Sequence, residues 1–129
     1  MLSLANVDNK PRFIVHTVLI WGLYFMMVYL SFFAIEATSS LGLSGGLTVL
    51  ALGSLGIVAP VPGGIGAYHF IVITTLTQLF GVEAEPATSY AYLAHASQML
   101  LVMVLGAWAW FALSATGKKL KIGRPNESE

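Results

Sequence analysis

Pro60-Val61-Pro62-Gly63-Gly64-Ile65-Gly66-Ala67-Tyr68-His69 puts a broken backbone between two apolar segments, residues 41–59 before it and 66–82 after it. Two prolines and three glycines in the first seven residues cannot continue a straight helix. Both flanking segments are free of formal charge. Such a break lies at or inside a membrane, where irregular backbone is tolerated only against protein or a water-filled cavity.

Moving outward, residues 13–35 form a first uncharged apolar segment, with Lys10 and Arg12 just before it. Residues 87–115 form a fourth, followed by Lys118, Lys119, Lys121 and Arg124. About 20 apolar residues span the hydrocarbon core, so both outer segments are long enough. Only 9% of the 129 residues are charged, 57% are hydrophobic, and the mean hydropathy is +0.79. A soluble domain carries about 25% charged residues, so this chain cannot coat itself for water. The expected fold is all-α, a polytopic helical bundle of about four hydrophobic segments in the membrane. It is organised as an N-terminal flank (1–12), a membrane region (13–115) and a basic, then polar, tail (116–129).

Every basic residue lies near a terminus, and between Arg12 and Lys118 the only formal charges are Glu36, Glu83 and Glu85. Basic residues stay on the cytoplasmic side. Both termini are therefore expected in the cytoplasm, with an even number of crossings. Either all four segments cross, or the first and fourth cross while the second and third form a re-entrant hairpin. Tyr90 and Tyr92 are read as marking the outer interface, and Trp108 and Trp110 the inner one.

The second segment is rich in small residues, and Gly42 and Gly46 form a GxxxG pair of the kind that lets helices approach closely. A looser, re-entrant stretch is the other reading. If a helix starts at about Gly64–Gly66, its first amides lack helical partners. With the positive end of the helix dipole they make an anion site suited to a lipid phosphate, as at the interrupted helices of transporters. A tight turn without a ligand is the alternative. Thr88, Tyr92, His95 and Gln98 recur at spacings of four, three and three and share a helix face. His69 and His95 are ionisable groups within apolar segments, which usually face a bundle interior or a cavity. Thr74 and Gln78 share a face of the third segment. These polar stripes either line a route for a head group or hold the bundle together. His16 is read as interfacial.

Enzymatic chemistry is not expected. The only aspartate is Asp8, the three histidines are dispersed, cysteine is absent, and Gly63–Gly66 lacks the strand context of a nucleotide fingerprint. Neither a metal, a cofactor nor nucleic acid is expected.

The stretch from Gly53 to His69, Gly-Ser-Leu-Gly-Ile-Val-Ala-Pro-Val-Pro-Gly-Gly-Ile-Gly-Ala-Tyr-His, followed by Gly81-Val82, resembles the lysylphosphatidylglycerol synthase transmembrane family, also called the flippase-like domain family. The resemblance covers about residues 41–115. It implies a bacterial or archaeal inner-membrane protein handling a phospholipid or lipid-linked substrate, with translocation between leaflets the best-known role. By motif, Pro62, Gly63, Gly64 and Gly66 carry over. Aminoacyl transfer in the family belongs to a separate soluble domain that nothing here resembles. Many members have an Arg-Glu pair where this chain has Tyr68-His69, and an arginine near the position of His95. A charged pair replaced by a histidine pair would make local charge depend on protonation near neutral pH. The family domain has more membrane segments than this chain, so the resemblance implies a C-terminal part that works with a missing N-terminal half or by homo-oligomerising.

The sequence thus leads to a lipid-translocating membrane protein. Gly63, Gly64 and Gly66 would offer amides to an anionic head group. Pro60 and Pro62 would hold the break open, and Tyr68, His69, Tyr92, His95 and Gln98 would line the route. The alternative is a non-transporting membrane subunit or remnant in which the glycines serve packing only.

Overall fold

The computed structural model describes residues 10–115. The described residues form four helices: α1 (Lys10–Phe32), α2 (Gly42–Val58), α3 (Ala67–Phe80) and α4 (Ala84–Ala115), with short 3-10 turns at Glu36–Thr38 and Pro62–Gly64. No strand occurs among the described residues. The chain divides into two units after Gln98. The first holds α1, α2, α3 and the start of α4. In the second, residues 99–115 continue the helix with almost every side chain exposed. The basic run from Lys118 to Arg124 lies outside the described residues.

Two helix boundaries differ from expectation. The first helix covers residues 10–32 rather than 13–35, taking in Lys10 and Arg12, because Pro11 is tolerated in a first turn that needs no amide donor. The fourth begins at Ala84 rather than 87, with Pro86 inside its first turn for the same reason.

Local chemistry sets the other ends. Thr38 is buried, and its hydroxyl donates to the carbonyls of Phe32 (2.9 Å) and Ile35 (3.0 Å), which also accept the Ile35 and Thr38 N–H groups, so it reinforces the turn that follows α1. α2 stops at Val58 because Pro60 excludes helical geometry at Ala59, which is extended (φ −56°, ψ 144°). Val61, before Pro62, is extended likewise (φ −126°, ψ 141°). α3 closes on Gly81 in the left-handed region (φ 65°), with the Val82 N–H donating to the Leu76 carbonyl at 3.0 Å. Val82 and Leu76 are both in the core, so the helix ends on a left-handed glycine followed by a hydrophobic contact with its last turns.

The buried stripe of α2 is Gly45, Gly46, Val49, Gly53 and Gly56. A Cβ on Gly46 would lie 3.0 Å from Phe25 and 3.3 Å from Tyr29, so α1 seats on α2 there. On Gly53 it would lie 3.0 Å from the Tyr68 ring, and on Gly56 only 2.6 Å from Tyr68 Cα. The expected Gly42–Gly46 pair is half right: Gly46 is a packing glycine, whereas a Cβ on Gly42 meets nothing within 4 Å. α4 contributes Ala87, Tyr90, Ala91 and Ala94 to the core. Tyr90 is fully buried, stacks on Phe32 (centroids 4.9 Å apart) and donates to the Val28 carbonyl at 2.8 Å. Tyr90 therefore ties α4 to α1 in the core and does not mark an interface, as its place near a helix end had implied.

Among the described residues, α1 and α4 are the two helices long and apolar enough to cross a membrane, and their most apolar windows are only 6% and 0% buried. A core helix of a soluble protein would hide such a surface. At about 1.5 Å per residue, the 17 residues of α2 and the 14 of α3 fall short of a hydrocarbon core of about 30 Å. The fold is a membrane helical bundle with two long helices and a shorter helical hairpin.

Candidate functional site

The turn between α2 and α3 is built from the motif. Gly63, Gly64 and Gly66 all have positive φ (63°, 69° and 88°), a region that side chains with a Cβ rarely enter. Gly64 is also pinned by space, since a Cβ there would sit 3.0 Å from Ile57 Cα. Pro60, Pro62, Gly63 and Gly66 are exposed, while Gly64 is buried.

The amides are disposed differently from expectation. Gly64 N–H donates to the Val61 carbonyl at 3.1 Å, and Gly66 N–H to His69 Nδ1 at 3.3 Å. Two of the three glycine amides assigned to an anion are thus engaged within the turn. His69 stands three residues into the helix and reaches back to the first amide, the geometry of a capping box. The helical ladder opens with Phe70 N–H to the Gly66 carbonyl at 2.8 Å, so the amides of residues 67–69 precede it. That of Tyr68 is covered by Gly56.

Around this helix start the aromatic and imidazole rings converge. His69 and His95 stack, with centroids 4.7 Å apart and planes 13° apart. Tyr92 lies 4.4 Å from His69 on the outer side. Tyr68 meets His95 edge-on at 4.8 Å. Four residues predicted from α3 and α4 therefore form one cluster. Tyr92 is exposed, His69 is half-buried and His95 is buried. His95 Nδ1 and the Tyr68 hydroxyl have no hydrogen-bond partner among the described residues. Gln98, one turn further along α4, leaves the cluster and instead lines a cavity with Tyr68. Thr74 and Gln78 are exposed on α3, away from these rings, so their stripe is not part of the cluster. Thr88 is satisfied by the Ala84 carbonyl at 2.6 Å. His16 bonds the Arg12 carbonyl near the start of α1.

Comparison with known families matches residues 3–106 of this chain to the model described as "Lysylphosphatidylglycerol synthase TM region". The chain belongs to the lysylphosphatidylglycerol synthase TM region family. The match concerns the membrane region of that family and not a catalytic domain. Both the family and the two long apolar helices identify a membrane protein, and the family associates it with membrane lipids. No curated protein and no solved structure matches the chain.

The sequence missed the contribution of α1. Trp21, Tyr24 and Val28 share the cavity wall with Tyr68 and Gln98. Their spacings of three and four place them on one helix face, but α1 is apolar on all sides and the face does not stand out.

Proposed function

We propose that this protein moves, or helps to move, a phospholipid or lipid-linked anion between the leaflets of a bacterial or archaeal cytoplasmic membrane. The observation that carries the reading is the stacked His69–His95 pair, with Tyr92 outside it, beside the helix start at the Pro/Gly break. Polar side chains gathered within an apolar bundle favour the passage of a polar group. Its phosphate would meet the imidazole N–H groups, the Tyr92 hydroxyl and the first amides of α3. The proposal assigns no covalent chemistry and no cofactor to the chain.

Charge placement supports both termini being cytoplasmic. Glu36 follows α1, and Glu83 and Glu85 flank the start of α4. Phe32 packs on Tyr90 and against Gly45, so these acidic residues gather at one end of the first unit. Lys10 and Arg12 begin α1 at its other end. This segregation is the one the positive-inside rule describes.

Leaflet exchange of a fluorescent phospholipid in vesicles containing the full chain tests the reading. Exchange should be faster than in protein-free vesicles and should slow in His95→Gln. Exchange no faster than in protein-free vesicles would leave the glycine stripe as packing and the chain as a non-transporting subunit.

A further inference from the structure

The first unit contains a cavity of about 210 Å³, larger than the roughly 150 Å³ hole that accepts benzene in an engineered core. Among the described residues its walls are Val28, Val49, Leu50, Ile57 and Val58 with the rings of Trp21, Tyr24 and Tyr68, joined by Ser54 and Gln98. Among the described residues, Tyr68 is the member this cavity shares with the histidine cluster.

The geometry points to this cavity as a binding site for one acyl chain of a membrane lipid, with the Gln98 amide hydrogen-bonding the ester at the head of that chain. Three observations select this ligand. No charged side chain among the described residues lines the cavity, so a phosphate or ammonium group would be stripped of water there without compensation. The mouth opens on the outer surface of the unit: Val58 is 82% exposed and Trp21 51%, whereas Val28, Val49 and Tyr68 form a buried floor. In a membrane protein that surface faces lipid. The third is hydrogen-bonding capacity. The Ser54 hydroxyl is occupied by the Ala51 carbonyl at 2.7 Å. Gln98, by contrast, has no hydrogen-bond partner in the described protein, and the Tyr68 hydroxyl has none either. A glutamine amide offers two N–H donors, and the ester carbonyl is the acceptor nearest to an otherwise apolar chain.

The inference goes beyond transport, because a chain can be held here whether or not a head group moves. The test uses the full chain in lipid nanodiscs and measures, by native mass spectrometry, retention of a diester phospholipid against its diether analogue, which lacks the carbonyls. The protein should retain the diester in preference by about three- to tenfold, the range expected for one hydrogen bond. Gln98→Leu should erase that preference while still binding the diether. Ser54→Phe, which fills the cavity, should lower retention of both. Equal retention of the two lipids by the unaltered protein would overturn the proposal, as would an ester preference that survives Gln98→Leu. Leaflet exchange is read separately, so a protein that prefers the diester but does not speed exchange would reject the transport reading and keep this site.

Discussion

His69 does two things that a substitution can separate. Its Nδ1 accepts the Gly66 N–H at the start of α3, and its ring stacks on His95. Glutamine at the third helical position of a capping box makes the same reach-back bond without a ring. His69→Gln should therefore keep the unfolding midpoint of the solubilised protein while slowing leaflet exchange about tenfold, the scale of one lost hydrogen bond to a charged group. His69→Leu should slow exchange too and also lose about 0.3–1.5 kcal/mol of stability. Equal exchange in His69→Gln and the unaltered protein would remove the ring from the route. Gly56 gives a purely structural counterpart. A Cβ there would meet Tyr68 Cα at 2.6 Å and Tyr68 N at 2.7 Å, and backbone cannot swing aside as a side chain can. Gly56→Ala should cost about 1–3 kcal/mol, whereas Gly106→Ala, with nothing within 4 Å, should lose only intrinsic flexibility. Thermal unfolding in one detergent compares the two. The histidine cluster was legible in the sequence because His69 and His95 are ionisable groups in apolar segments. Its second role at the helix start was not, because it depends on the helix beginning at Ala67.

At the level of elements, α2 is a small-residue rail between α1 and α3. Gly46 receives the stacked rings of Phe25 and Tyr29, and Gly53 receives Tyr68. In lipid, where no hydrophobic drive brings helices together, this close van der Waals contact is what holds them. Gly46→Leu should thus loosen α1 from α2 at a cost of about 1–3 kcal/mol, read as a lower midpoint and as faster proteolysis of the loop around Ser39. Tyr90 adds a single hydrogen bond between α4 and α1, so Tyr90→Phe should cost only about 0.6 kcal/mol, the average for such bonds in membranes. The glycine-rich composition of α2 announced close packing, yet the Gly42–Gly46 pattern picked one wrong member. Gly42 opens the helix with φ 63°, where it serves the turn and not the seam. Tyr90 was misread for a related reason. A tyrosine near the end of a membrane helix usually anchors at the interface, and only the fold shows that Phe32 and the Val28 carbonyl are waiting for it.

For the molecule as a whole, the decisive question is how deep the Pro/Gly break lies. The sequence left four crossings and a re-entrant hairpin equally open, because both put the same charges on the same sides. The fold supplies a ruler. Trp21 and Tyr24 share a cavity wall with Ile57 and Val58 at the end of α2, so the tip of the hairpin is level with the middle of α1. Lys10 lies eleven residues before Trp21, about 16 Å along the helix at about 1.5 Å per residue. We propose on this ground that the hairpin turns back inside the bilayer, entering and leaving by one face of the membrane. The chain contains no cysteine, which makes single replacements clean reporters. Ser40→Cys should react with a membrane-impermeant maleimide from the face opposite Lys10→Cys. Val61→Cys, at the tip and 40% exposed in the protein itself, should react far more slowly than Lys10→Cys from the Lys10 face, since bilayer rather than protein covers it. If Val61→Cys reacts as fast as Lys10→Cys from that face, α2 and α3 cross completely and the break lies in the aqueous interface. A histidine cluster beside it would then sit among lipid head groups, with no need of a path through the bundle to reach them.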